Sequence, residues 1–496
     1  MVVGLGAVIA SSPSPVAAAP LSVSVVGNHL VDGSGNPLVL RGADLSGTEF
    51  SCIQNGTPTS RGWSIYGGQP LDQPSTYAAM AAWHINAVRV PLNEDCWLGI
   101  NGVNPAYGGS NYQNAIATEV AQINAAGMVA ILDLHWSNPG TYAALSQEEM
   151  ADADHSITFW SQVASAYKSN HAVIFDLFNE PYFYWISDGT PPWSCWLNGC
   201  QQNQVVTAGQ TLPDGTTTGY QTSYTWQSAG MQQLLDAVRA TGATNPVLIN
   251  GLGWANDDTG WGANAPSDPA NQLIVGAHMY PGAVTCLAPS CPSIETLAAT
   301  HPVVIGETGD SSAAPATYLP TFLPWADAHG LSYLAWTWNP WGNADDVLIQ
   351  DWSGTPTTGE GAVYQAHLAA LASSGGTTTT GSPPTTTTTA RAGTGVRGPA
   401  TGSVLPKNAG GRSGAATSTT DDGATSMDRS TGAGNGTRSA GKAASEAAPA
   451  LRGAADGWGN VVVAALSLCV AATWLVAMRR RRRGGGPRLP APRDDG

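Results

Sequence analysis

Charge is scarce in this chain, and positive charge is scarcer still. Asp, Glu, Lys and Arg make up 11% of the 496 residues. Up to Ser373 only five basic residues, Arg41, Arg61, Arg89, Lys168 and Arg239, stand against 28 acidic ones. So acidic a body repels phosphate backbones, which excludes nucleic acid as its partner. The low total charge also excludes the highly charged composition that keeps chains unfolded. Phe is nearly missing, six in all, whereas 16 of the 18 Trp precede Ser373. Packing ordinarily draws more on Phe, because a buried indole N–H needs a partner. The surplus points to indole faces used for something besides packing.

Hydrophobic residues make up 42% of the chain, ample for the core of a large domain. Composition divides the sequence into five parts. Residues 1–19 are apolar and small, and Ala17-Ala18-Ala19 offers a cleavage site, yet no Lys or Arg precedes it; the stretch reads as a truncated or weak export signal. Residues 20–373 have a globular composition. Residues 374–457, rich in Thr, Gly, Ser and Ala, cannot bury enough apolar surface to offset their ordering entropy and read as a disordered linker. Segment 458–478 contains the uncharged run 461–478, which at ~1.5 Å per residue reaches ~27 Å and can cross a hydrocarbon core. Arg479 to Arg483 then open a basic tail, 479–496, which the positive-inside rule keeps cytoplasmic. The expectation is a single C-terminal transmembrane helix that anchors the globular part outside, at the cell surface. A wall-sorting signal is the alternative, but Leu405-Pro406-Lys407-Asn408 lies far upstream of the apolar run and lacks the Thr-Gly ending.

Six of the seven cysteines, Cys52, Cys96, Cys195, Cys200, Cys286 and Cys291, fall in the globular part. Cys195/Cys200 and Cys286/Cys291 are short-range couples in Gly- and Pro-rich loops, and pairing them leaves Cys52 with Cys96. A metal site is the weaker reading, because no His stands at a zinc-like interval. Structural disulfides fit an exported chain.

Short β-rich runs recur at 38–45, 86–91, 129–136, 173–180, 247–250, 274–280, 303–307 and 332–338. Amphipathic segments lie between most of them, among them 113–126, 148–168, 225–241, 316–329 and 361–372, while the stretch between the fifth and sixth runs is poorly helical. Eight strands alternating with helices predict an α/β fold of the (β/α)8 TIM-barrel class. A doubly wound sheet shares the alternation, but no Gly-rich phosphate loop follows the first run. The longest insertion spans 181–220 and is rich in Trp and Cys.

Barrel enzymes carry their chemistry at the C-terminal ends of the strands. Those ends hold Arg89, His135, Asn179 with Glu180, His278 with Tyr280, Glu307, and Trp336 with Trp338. A single strand-end His or Glu is usually a solvated or capping group, but the set together is not what a bland barrel needs. Glu180 and Glu307 close the fourth and seventh runs, and two carboxylates facing across a barrel mouth can hydrolyse a glycosidic bond. At about 5–5.5 Å one acts as nucleophile and the other as acid/base, whereas about 6.5–9.5 Å admits a water and inverts the sugar. Arg89 can hold the nucleophile ionised, and exposed Trp faces can stack on sugar rings.

Phe178-Asn179-Glu180-Pro181, together with Ile305-Gly306-Glu307-Thr308-Gly309, resembles glycoside hydrolase family 5, the cellulase family of clan A. The character of 38–42 and 86–91 matches the family's first two strands. Asp133-Leu134-His135, His278-Met279-Tyr280 and Trp336-Thr337-Trp338-Asn339 follow in the family's order, and the resemblance covers about 21–372. It implies a retaining double displacement, with Glu180 as acid/base and Glu307 as nucleophile. By the same resemblance Arg89 and Tyr280 would bond to the nucleophile, and His135 and His278 would support the acid/base side. Asn179 would hold the sugar 2-hydroxyl, and Trp336, with Trp338 as the second choice, would form the stacking platform. Thr308 departs from the aromatic residue that often follows the nucleophile, which touches subfamily and substrate more than catalysis. No metal or organic cofactor is required.

An acidic cleft prefers a neutral polysaccharide or oligosaccharide to a uronic-acid polymer, and the expectation is an endo-β-1,4-glucanase, with β-mannanase next. Trp185, Trp193, Trp196, Trp254 and Trp261 either shape subsites or anchor loops. Two further alternatives are a membrane-anchored transglycosylase and a carbohydrate-binding protein on an inactive scaffold. The second has no need of Arg89, Asn179, Tyr280 and both glutamates, all of which are present.

Overall fold

The computed structural model of the chain describes residues 20–53, 65–66, 68–183, 186–206, 222–283, 285–310, 315–342 and 346–374. The chain separates into a first unit, Met1–Gly381, and a second, Ser382–Gly496, and every described residue belongs to the first. The signal-like segment, the linker from residue 375, the apolar run 461–478 and the basic tail lie outside the described residues. Among the described residues no helix is long and apolar enough to cross a membrane.

The chain opens on a small antiparallel sheet, β1 (Val23–Val26), β2 (His29–Asp32) and β3 (Pro37–Leu38). The sequence pattern misses it, because strands this short give no sustained alternation. There follow β4 (Arg41–Asp44), α1 (Pro74–Ala82), β5 (Ala87–Asn93), α2 (Glu94–Leu98), α3 (Ser110–Ala125), β6 (Val129–Trp136), α4 (Ser156–Tyr167) and β7 (Val173–Asp176). An insertion carries α5 (Pro192–Asn198) and the hairpin β8 (Gln201–Val206) with β9 (Thr222–Gln227). The remainder is α6 (Met231–Ala240), β10 (Val247–Asn250), α7 (Leu252–Ala255), β11 (Leu273–Met279), α8 (Pro292–Ala298), β12 (Val303–Thr308), α9 (Leu319–Ala328), β13 (Ser332–Ala335) and α10 (Glu360–Ser373).

Strands β4, β5, β6, β7, β10, β11, β12 and β13 close into a barrel, with β7 pairing back onto β10 and all neighbours parallel. Each of the eight expected runs supplies one of these strands. They read as apolar runs because both faces are covered. Towards their N-terminal ends, Ala87, Val129, Ile174, Leu248, Ile274, Val304 and Leu334 pack in one cluster with Val23 and Leu30 of the small sheet. That sheet therefore stoppers the lower end of the barrel and leaves the C-terminal end for chemistry.

Helix α4 begins at Ser156, eight residues later than its apolar pattern suggests. Asp152 takes the His155 amide at 2.7 Å, as a short acidic side chain does ahead of a helix. Ala153 meanwhile donates to Gln227 and Ala229 to Ala151, so residues 151–153 run against the insertion. Helix α6 likewise starts at Met231, since 222–227 is strand. Gln233 caps it by accepting the Gly230 amide at 2.9 Å.

Candidate active site

The C-terminal rim of the barrel gathers polar side chains around one cation. Arg89, at the middle of β5, is wholly buried, and a guanidinium tolerates burial only when its N–H groups are partnered. Its Nη1 donates to Glu307 Oε1 at 2.7 Å and to Asp44 Oδ1 at 3.3 Å. Its Nε meets Asp176 Oδ2 at 2.9 Å. Nη2 reaches Asn179 Oδ1 at 2.7 Å and Asp133 Oδ2 at 3.1 Å. Burial disfavours the charge, yet Asp133, Asp176, Glu307 and Asp44 outweigh it and hold Arg89 firmly protonated. Asp44 and Asp176 are pushed well above the ordinary carboxylate range by burial, which Arg89 only partly offsets.

Glu307, on β12, receives donors at both oxygens. Arg89 takes one, and the Tyr280 hydroxyl donates to Oε2 at 2.9 Å. His278 Nδ1 stands 3.5 Å from the same Oε2 and 2.9 Å from Glu180 Oε1. Burial pushes His278 down to about 4, so its imidazole is neutral; with the proton on Nδ1, one N–H faces both carboxylates. Burial also pushes Glu180 up to about 7, against the pull of His135 and Arg89. Its side chain is 22% exposed to the cleft while that of Glu307 is 7% exposed. The two glutamates thus differ in exposure and in the side chains that hold them. An oxygen of Glu180 and one of Glu307 lie within 4.8 Å of each other.

Asn179 and Glu180 stand beyond the end of β7, where Asn250 holds the main chain. Its Nδ2 donates to Asp176 Oδ1 and to the carbonyls of Phe178 and Asn179 at 2.9, 3.0 and 2.9 Å. A Cβ at position 276 would come within 2.1 Å of Asn250 Oδ1, so glycine on β11 gives this side chain its room. Asp133 Oδ2 binds His135 Nδ1 at 2.6 Å. Burial works against the His135 charge, but Asp133 prevails and raises its pKa. The ring of His135 stacks on Trp336 with centroids 5.7 Å apart.

Trp336 is half-buried at the rim, whereas Trp338 is wholly buried and packs edge-on against Trp83 at 4.8 Å. This corrects the reading of Trp338 as an alternative platform: past the end of β13 its ring is buried against Trp83 at the end of α1 and has no face open to the cleft. Among the other tryptophans, Trp196 and Trp261 are buried anchors whose Nε1 groups donate to Asn250 and Ile249 carbonyls at 2.9 Å each. Trp193 packs on Trp196. Trp254 differs, since it is half-buried, stacks on Tyr182 at 4.8 Å and adopts a φ of +58°. Trp185 lies outside the described residues.

All three expected disulfides are formed, Cys52–Cys96, Cys195–Cys200 and Cys286–Cys291. Two groups among the described residues bring three possible metal ligands within 4.8 Å, namely Glu180-His278-Glu307 and Glu94-Asp152-His155. The first is the carboxylate pair itself. In the second, Ser156 Oγ bonds Glu94 and Asp152, and the Asn138 amide bonds Glu94. Sequence reasoning missed Asp44, Asp176, Asn250 and Gln147 as site residues. The first three carry a signal, since each is the polar last residue of a barrel strand.

The family model of Cellulase (glycosyl hydrolase family 5) matches residues 43–342. The chain is 28% identical over 213 residues to the cellulase/esterase CelE of Acetivibrio thermocellus, covering 40% of this chain and 24% of that one. It is 26% identical over 254 residues to the manganese-dependent endoglucanase Eg5A of Phanerodontia chrysosporium, covering 49% and 53%. It thus spans about a quarter and about half the length of these curated relatives. A solved β-glucanase from Saccharophagus degradans aligns with a TM-score of 0.49 at 20% identity, covering 73% of this chain and 98% of that one.

Proposed function

Because the chain belongs to glycosyl hydrolase family 5 and is a glycosidase acting on O-glycosyl compounds, we propose that it is a retaining endo-β-1,4-glucanase. The observation that carries the retaining reading is the approach of Glu180 and Glu307 oxygens to within 4.8 Å. Retaining pairs stand about 5–5.5 Å apart, and an inverting pair needs about 6.5–9.5 Å to admit a water.

In this reading Glu307, fixed by Arg89 and Tyr280, attacks the anomeric carbon. Glu180 gives its proton to the departing oxygen, so the glycosidic bond breaks as the Glu307–sugar bond forms. Glu180, now ionised, takes a proton from water as that water displaces Glu307 and releases the sugar with its configuration retained. Its elevated pKa keeps it protonated for the first half, and loss of the proton is eased by His135 and Arg89 for the second. Trp336 supplies the apolar face for the sugar ring at the point of cleavage. The acidic body favours a neutral glycan.

We place the domain outside the cell. Support comes from the three disulfides, which persist in oxidising compartments, and from the apolar run 461–478 followed by arginines.

The test is to incubate the purified chain separately with soluble cellulose, mannan, xyloglucan and laminarin and to count new reducing ends. Release from cellulose, with the β-anomer appearing first by NMR, is the expected result. Release from mannan alone would replace the glucanase reading, and first appearance of the α-anomer would overturn retention.

A further inference from the structure

Asn179 and Glu180 lie past the last ladder pairing of β7. One main-chain bond, from the Asn179 amide to the Leu134 carbonyl at 3.1 Å, holds the backbone there, and hydrogen bonds of the side chain set the direction of the Asn179 carboxamide. Asn179 Oδ1 is taken by Arg89 Nη2 at 2.7 Å. Its Nδ2 donates to Gln147 Oε1. The same Gln147 turns its Nε2 to the main-chain carbonyl of Glu180 at 2.6 Å. A carboxamide has two N–H groups and one oxygen. With the oxygen on Arg89 and one N–H on Gln147, a single N–H of Asn179 is left for a ligand.

Gln147 is half-buried in the loop between β6 and α4, a loop to which the proposed mechanism gives no part. That loop also takes the Tyr182 amide, through the Glu149 carbonyl at 2.9 Å. Held by Arg89 alone, the Asn179 amide could swing about one bond; held from both sides, its plane is fixed.

We infer that Gln147 is a positioning residue, which aims the free N–H of Asn179 at the sugar 2-hydroxyl and holds the Glu180 main chain level with it. The inference rests on the proposed hydrolase reading and extends it to a residue outside the catalytic set. Bonds to the 2-hydroxyl strengthen in the transition state, so the loss of aim falls on kcat more than on KM.

The experiment uses the full chain and two aryl β-cellobiosides, one intact and one lacking the 2-hydroxyl on the ring bearing the aryl group. Gln147→Met keeps the side-chain length without its hydrogen bonds. It should lower kcat on the intact substrate by about tenfold, the scale of a small misplacement, while KM changes little. The advantage of the intact over the deoxy substrate should shrink by a similar factor. Gln147→Glu offers the same acceptor and, when protonated, the same donor, so its activity relative to wild type should rise as pH falls. Unchanged kcat in Gln147→Met, or an equal loss on both substrates, overturns the inference. If Gln147→Met does not fold, a Gln147→Glu protein that follows the wild type at every pH does so instead. Wild-type protein silent on both the intact glycoside and soluble β-glucans would bring down the hydrolase reading itself.

Discussion

Glu180 and Glu307 occupy one rim and share one histidine, yet their surroundings differ in the sense that the tasks proposed for them require. Arg89 and Tyr280 donate to Glu307, whereas burial lifts Glu180 to about 7. In the proposed mechanism bond breaking needs Glu180 protonated, so kcat/KM on a substrate with a poor leaving group should fall as pH rises through about 7. The Glu180→Gln protein should lose that limb and keep most of its kcat/KM on activated aryl glycosides, while its kcat falls because the water of the second half has lost its base; a pH series on both substrates will show both effects. Position separates the two rim tryptophans in the same way. Trp336→Ala should lower kcat/KM about five- to tenfold, the worth of a stacking contact near 1 kcal/mol, with only a small drop in melting temperature from the lost contact with His135. Trp338→Ala should instead cost about 3–5 kcal/mol of stability by opening a core cavity. Glu180 and Glu307 were legible as polar endings of apolar strands, whereas Arg89, read as a strand ending, sits at the middle of β5 and stood out as a lone cation in an apolar run. Gln147 was not, because a glutamine in a polar loop carries no periodicity, and its role exists only once 147 and 179 are brought together. Trp336 and Trp338 could not be told apart by pattern, since both lie past the last regular residue of β13.

Among the elements, the barrel strands were readable almost to their ends because burial on both faces makes them uninterrupted apolar runs. Their helices were less so at the N-termini, where Asp152 and the insertion strand β9 claim residues that share the helical period. The loop after β4 is another element whose hold is non-local. Cys52 there is tied to Cys96 in α2 across 44 residues, whereas the other two disulfides close loops of five. Loop-closure entropy assigns the long bridge about 4 kcal/mol and each short one about 2. Replacing Cys52 and Cys96 together by Ala should therefore lower the denaturation midpoint about twice as far as replacing Cys195 and Cys200. Equal losses would mean that the residues between Cys52 and Cys96 are already ordered by other contacts in the unfolded chain.

The molecule as a whole stores acid in its interior, and this makes its stability fall with alkali. Glu119 on α3 and Asp258 are buried, their carboxylate oxygens have no hydrogen-bond partner among the described residues, and burial drives both well above the usual carboxylate range. Asp95 is raised to about 7, as Glu180 is. From about pH 4, where unfolded carboxyls lose their protons, up to these folded values the native state binds more protons than the unfolded one, so stability decreases with rising pH. Acids held by cations act in reverse. Burial opposes the charge on Asp327 and on Asp268, but His367 and Arg41 beside the first and Arg239 beside the second prevail and depress their pKa; their contribution is present above about pH 4 and is lost as pH falls through the lowered values. The two sets together place the melting maximum at about pH 4, with a decline towards pH 8 that calorimetry across that range will measure. Glu119 isolates the cause, because it lies on an outer helix away from the rim. Glu119→Gln removes the ionisable proton at almost constant volume, so it should add about 1–3 kcal/mol at pH 8, the scale of an uncompensated buried polar group, and nothing at pH 4.5. A loss of stability at pH 8 would show that the carboxylate is held by a partner such as buried water, and the alkaline decline would then belong to the remaining acids.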